Sequence, residues 1–99
     1  MNRASLIAVI EKYREPLRAN GVTGLFIYGS RARGDNRPDS DLDLFIDYEA
    51  GTHVPSLFRL IEIEKKLAGE LGVPVSITTR NSLHPLMRER IESDAARIL

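Results

Sequence analysis

Residues 25–34 read Leu25-Phe26-Ile27-Tyr28-Gly29-Ser30-Arg31-Ala32-Arg33-Gly34, and residues 40–46 read Ser40-Asp41-Leu42-Asp43-Leu44-Phe45-Ile46. The run from Leu25 to Tyr28 is short, apolar and rich in β-forming residues, so it predicts a buried strand that ends at Gly29. Between the two segments, Asp35, Asn36, Pro38, Asp39 and Ser40 are turn formers that favour neither helix nor strand. A second strand then begins at Asp41. Its period of two sets Leu42, Leu44 and Ile46 on one face and Asp41, Asp43 and Phe45 on the other.

Two carboxylates on one face of a strand require a physical reason, because Asp is depleted in strands and like charges repel. Their α-carbons lie roughly 6.6–7 Å apart at this spacing, which lets both side chains lean onto one cation or a close cation pair. Hard oxygen ligands on an open rim suit Mg²⁺, which takes its other ligands from water and phosphate oxygens. The turn before them supplies the anion side. Gly29 allows close backbone approach, Ser30 offers a hydroxyl, and free N–H groups lie beside Arg31 and Arg33. Each part alone reads more simply as a turn, a solvated strand end or a charged surface. In this order they predict a nucleotide or metal site, active or vestigial.

These residues carry a family resemblance. Gly29-Ser30-Arg31-Ala32-Arg33-Gly34 with Ser40-Asp41-Leu42-Asp43-Leu44 resembles the signature of the minimal nucleotidyltransferases, small members of the polymerase-β-like superfamily. The resemblance is close over the central third, and the order of elements extends it over nearly the whole chain. It implies that Gly29 and Ser30 hold a nucleotide triphosphate, with Arg31, Arg33 and Ser40 beside it, and that Asp41 and Asp43 ligate Mg²⁺. It also implies a partner. Many such proteins are antitoxins of a helical HEPN-type toxin, and some silence it by adding AMP from ATP to a toxin hydroxyl.

Composition bounds the rest. The 99 residues predict one domain, 1–99, with a modest core. Lys and Arg total 14, as do Asp and Glu, so the formal net charge is zero. That balance argues against general nucleic-acid binding and offers little repulsion to association, as expected of a hetero-oligomer. Cysteine is absent, which excludes disulfides and thiolate metal sites. Neither a signal peptide nor a run of membrane-spanning length is seen, so the expected location is cytoplasmic.

Along the chain, Ser5 is the expected cap of a first helix with the stripe Leu6, Val9, Ile10, Tyr13 and Leu17, kinked by Pro16 and stopped at Asn20-Gly21. Asp47 shares the parity of Asp43 but lies too far along the strand for the same ion, and is expected in solvent. His53 is expected at the surface, a nucleotide contact being the lesser reading. Pro55 and Ser56 open a second helix that runs to Leu71, with Leu57, Leu60, Ile61, Leu67, Ala68 and Leu71 as its stripe. Glu64 falls within that arc, Ile63 at its margin, and Phe58 well off it, a candidate partner contact.

Val73 to Thr78 predicts a third strand, and Pro74 near its start indicates an edge or an unpaired N–H. In the family this strand bears a third carboxylate, and Ser76 stands at that position. A neutral serine oxygen is a poor replacement for a carboxylate both in completing a metal shell and as a general base. Asn81 or Ser82 is expected to begin a last helix with Pro85 in its first turn and a salt-bridged surface at 88–92, His84 facing solvent, and residues 95–99 to add a short strand.

The expected fold is α/β, a small mixed sheet of three or four strands with helices mainly on one face, like a nucleotidyltransferase palm. Two functions follow. One is Mg²⁺-dependent transfer of a nucleoside monophosphate, AMP from ATP, to a hydroxyl of the toxin. The other is a degenerate binding module that neutralises the toxin by masking it. Ser30, Asp41 and Asp43 favour the first and Ser76 the second.

Overall fold

Alternation in the two leading strands sends every second apolar side chain to the same side, and that side is the core. The computed structural model describes residues 2–49, 51 and 54–99, so His53 lies outside the described residues. The elements are α1 (Arg3–Glu11), α2 (Arg14–Ala19), β1 (Val22–Tyr28), α3 (Ser30–Arg33), β2 (Leu42–Tyr48), α4 (Leu57–Leu71), β3 (Val75–Thr79), a 3₁₀ turn (Arg80–Ser82), α5 (Arg88–Asp94) and β4 (Ala96–Arg97). The four strands form one mixed sheet in the order β3-β2-β1-β4. β1 runs antiparallel to β2 and β4, while β2 and β3 are parallel and joined by the crossover helix that such a pair needs, α4. The expected α/β class, the edge position of β3 and the terminal strand are all as the sequence indicates.

Leu25, Ile27, Leu42, Leu44, Ile46, Val75 and Ile77 face one way and bury against Leu6, Ile10, Leu17, Leu60, Ile63 and Leu67 of the helices. Each fully buried side chain of this size contributes roughly 1.5–3 kcal/mol. Asn20 ties two helices together: its side-chain amide donates to the Ser56 carbonyl (3.2 Å) and accepts from the Ser56 N–H (2.8 Å).

Local expectations are corrected in four places. Asn2, not Ser5, caps α1, and its side chain accepts from the Ser5 N–H at 2.8 Å. The first helix breaks at Lys12–Tyr13 rather than bending at Pro16. Pro16 would collide with the carbonyl four residues earlier, at Lys12, so the break falls there. α4 starts and stops as expected, with Ser56 as cap and Gly72 left-handed at φ 73°, but its rotation differs. Ile63 is buried, whereas Leu57 and Ile61 are exposed. This rotation buries Leu60, Ile63 and Leu67 and brings Glu64 to the edge strand, where its carboxylate accepts the Ile77 N–H at 2.8 Å. Finally, residues 80–82 make only a 3₁₀ turn, and the last helix begins at Arg88. Pro85 disfavours helical backbone at His84, and Leu83 is extended and buried.

Candidate nucleotide and metal site

The sheet face opposite the core carries the polar residues in rows. Asp43 on β2 is paired in register with Tyr28 on β1 and Ser76 on β3. The next row is Phe26, Phe45 and Thr78. Asp41 precedes β2 with the parity of Asp43 and is exposed. Burial raises the pKa of the half-buried Asp43 carboxyl above its ordinary value, and the neighbouring Asp41 charge adds to the rise. A cation between them would relieve both penalties.

Gly29 joins this pair to the turn. Its φ is 76°, and a Cβ built there would lie 2.8 Å from Asp43 Oδ2, so the position admits glycine alone. From Gly29 the chain turns directly into α3, where the Ala32 and Arg33 N–H groups both bond to the Gly29 carbonyl (3.1 Å each). The earlier N–H groups of this turn, at Ser30 and Arg31, precede any partner within it. Gly34, left-handed at φ 83°, ends the turn.

The basic residues divide. Arg31 is 7% exposed, and its guanidinium donates to the carbonyls of Ser40 (2.8 and 3.2 Å) and Pro38 (3.2 Å). This corrects the expectation of a phosphate contact: the side chain holds the loop between turn and strand. The Ser40 hydroxyl is likewise engaged within that loop, accepting the Arg37 N–H at 2.8 Å. Arg33 is exposed, pairs with Asp35 at 3.1 Å and approaches Asp94 at 4.0 Å.

A cleft of about 350 Å³ opens here, lined by Tyr28, Gly29, Arg33 and Asp43 on one side and on the other by Met87, at the cap of α5, and Arg90, Ile91 and Asp94 within that helix. The α5 wall was not expected from sequence, because alternating charges at 88–92 read equally well as a solvated face. Burial, with Asp43 second, also raises the Tyr28 phenol pKa. A separate cleft of about 480 Å³, among Arg14, Arg18, Gly24, Glu49 and Arg97, shares no residue with this one.

Asp47 is not the solvated strand end expected. Arg80 grips it bidentately (2.7 and 2.9 Å), bonds Glu92 at 2.6 Å, and lies over the rings of Phe26 and Phe45, 4.9 and 4.7 Å from their centroids. Nothing in the spacing of Asp47, Arg80 and Glu92 signals this meeting, which the sheet and the returning chain bring about.

The donor set fits Mg²⁺. Two hard carboxylates share one face beside a phosphate-sized turn, and this ion characteristically uses one or two carboxylates plus phosphate oxygens. Among the described residues no cluster of three or more His, Asp or Glu side chains forms, and Ser76 is the neutral neighbour in register with Asp43.

Comparison with known proteins gives the family. Residues 10–99 match the nucleotidyltransferase domain family. The chain belongs to that family. It is 34% identical over 77 residues to the protein adenylyltransferase MntA of Thermococcus cleftensis, spanning 77% of this chain and 75% of that one. A solved structure provisionally described as a minimal nucleotidyltransferase superposes with a TM-score of 0.75 at 33% identity, covering 97% of this chain and 95% of its own. The chain is thus a nucleotidyltransferase of the minimal type. The nucleotidyltransferase fold is also shared with a toxin–antitoxin structure containing AMP-PNP, at a TM-score of 0.69 and 19% identity, with 90% of this chain and 71% of that one covered.

Proposed function

We propose that this minimal nucleotidyltransferase binds ATP with Mg²⁺ and transfers AMP to a hydroxyl of a helical HEPN-type toxin, acting as its antitoxin. The observation that carries the reading is the fit of Gly29 against Asp43, 2.8 Å from where any side chain would begin. That contact makes the phosphate turn and the carboxylate strand one built site. Support for the partner comes from the toxin–antitoxin complex of the same fold, and support for the nucleotide from the AMP-PNP bound in it.

Asp41 and Asp43 would hold the Mg²⁺, which would neutralise phosphate charge and draw the α-phosphorus toward attack. Ser30 and the N–H groups of its turn receive phosphate oxygens, and Arg33 lies close enough to add charge. Transfer joins the acceptor oxygen to the α-phosphorus, releases pyrophosphate and requires removal of the hydroxyl proton. In this reading the partner brings its own acceptor into the cleft.

Ser76 favours a second reading. It occupies the register position beside Asp43 and offers no base, as a masking module would tolerate. Calorimetric titration of ATP into wild type and an Asp41→Asn, Asp43→Asn variant, with and without Mg²⁺, tests the metal and the nucleotide together. Wild type should bind ATP roughly tenfold or more tightly with Mg²⁺, and the variant should lose that gain. Equal affinity in all four conditions would remove the metal from the site.

A further inference from the structure

α5 is seven residues long and contains no buried residue, yet it forms one whole wall of the cleft. Apolar packing therefore does little to hold it. Ion pairs do: Glu92, which also accepts from Arg88 within α5 at 2.9 Å, accepts from Arg80 at 2.6 Å, Arg80 is itself locked to β2 through Asp47 and seated on two aromatic rings, and Asp94 approaches Arg33 at 4.0 Å. The chain of contacts runs from the sheet through Asp47 and Arg80 to Glu92, two residues beyond Arg90. Arg90 lines the cleft, is exposed, and makes no ion pair among the described residues.

Among the described residues, a guanidinium without an ion pair is unusual in the cleft that Gly29 also lines, because the other arginines near it are engaged. Arg31 is engaged by backbone carbonyls, Arg33 by Asp35 and Asp94, Arg80 by Asp47 and Glu92, and Arg88 by Glu92. Met87 and Ile91 flank Arg90 with apolar surface in the same wall. A wall with one free cation between two apolar side chains suits a nucleotide, whose phosphates take the charge and whose base or ribose takes the apolar contact.

We propose that Arg90 is a binding residue for the nucleotide's phosphates, and that Glu92, held by Arg80, is the positioning residue that keeps α5 at the cleft. This rests on the nucleotide-binding reading above and adds to it a wall that the motif does not contain. The absence of apolar anchoring makes the ionic clamp the element that sets how Arg90 meets the ligand.

The test compares Arg90→Gln, Glu92→Gln, their double variant and a control, Glu89→Gln, which removes the same charge from an exposed α5 site. ATP affinity is measured by titration, and backbone hydrogen exchange of residues 88–94 is measured on the nucleotide-free protein. Arg90→Gln should weaken ATP binding roughly tenfold with unchanged exchange. Glu92→Gln should weaken it about three- to tenfold and speed exchange by a similar factor, while Glu89→Gln changes neither. The double variant should resemble Arg90→Gln alone, because a positioning residue has nothing left to position.

Unchanged affinity in Arg90→Gln would overturn its binding role. Additive losses, or exchange in Glu92→Gln equal to the control, would overturn the positioning role. A wild-type protein that binds no ATP would overturn the nucleotide reading itself, and the exchange comparison would still decide whether Glu92 holds the helix.

Discussion

At the scale of single residues, the site depends on a glycine, two aspartates and a serine whose neighbours give them their meaning. Gly29 has no freedom to be anything else, since Asp43 Oδ2 occupies the space a Cβ would need. Asp43 carries a pKa raised first by burial and second by the Asp41 charge. Ser76 shares a row with Asp43, and in the proposed transfer it stands where a general base would act. A general base in this position is worth about 10²- to 10⁴-fold. Ser76→Asp should therefore raise incorporation of labelled AMP into the purified toxin while altering ATP affinity less. Strong labelling by wild type with no gain in the variant would show that another group removes the proton. If neither protein labels a toxin that both still neutralise, the masking function stands instead.

At the scale of elements, the same helix shows which face is structural and which is free. The inner arc of α4 runs through Leu60, Ile63 and Leu67, all buried, and Glu64 beside them anchors the edge strand. Leu67 is fully buried in the core. Truncation to alanine should cost about 2–5 kcal/mol, a fall in Tm of roughly 10 °C or more for a domain of this size, read by thermal or denaturant unfolding. A cost under about 1 kcal/mol would mean that the core collapses around the gap. The outer arc is different in kind. Phe58 is 75% exposed and Leu57 69%, with Val54 and Ile61 also exposed, so an apolar strip lies along the first half of the helix.

For the whole molecule, the two sheet faces divide the work. Helices α1, α2 and α4 cover one face and make the core, and the other face holds the carboxylates, the aromatic row and the Arg80 assembly. No described helix is long and apolar enough to cross a membrane. The apolar strip around Phe58 lies on the helix layer, and the proposed antitoxin function would make it the surface offered to the toxin. Phe58→Asp should leave stability within about 0.5 kcal/mol, because the position is solvent-facing, and should weaken toxin binding roughly tenfold or more. Unfolding of the variant, or unchanged binding in a pull-down with quantified Kd, would each dismiss the strip as the contact.

The sequence alone determined what is local or periodic. The strands, the turn between them, the caps at Ser56 and Gly72, the common face of Asp41 and Asp43 and the exposure of Phe58 all follow from side-chain alternation, turn chemistry and helical spacing within a few residues. Only the tertiary structure decided what depends on distant partners. Arg31 left the candidate site because the loop it precedes folds back and presents carbonyls to it. Asp47 gained Arg80, 33 positions away, and Glu64 on α4 met an edge-strand N–H 13 positions further along the chain. The α5 wall belongs to the same class. Charges spaced alternately carry no sign of whether water or another element faces them, and that is settled when the chain returns across the sheet.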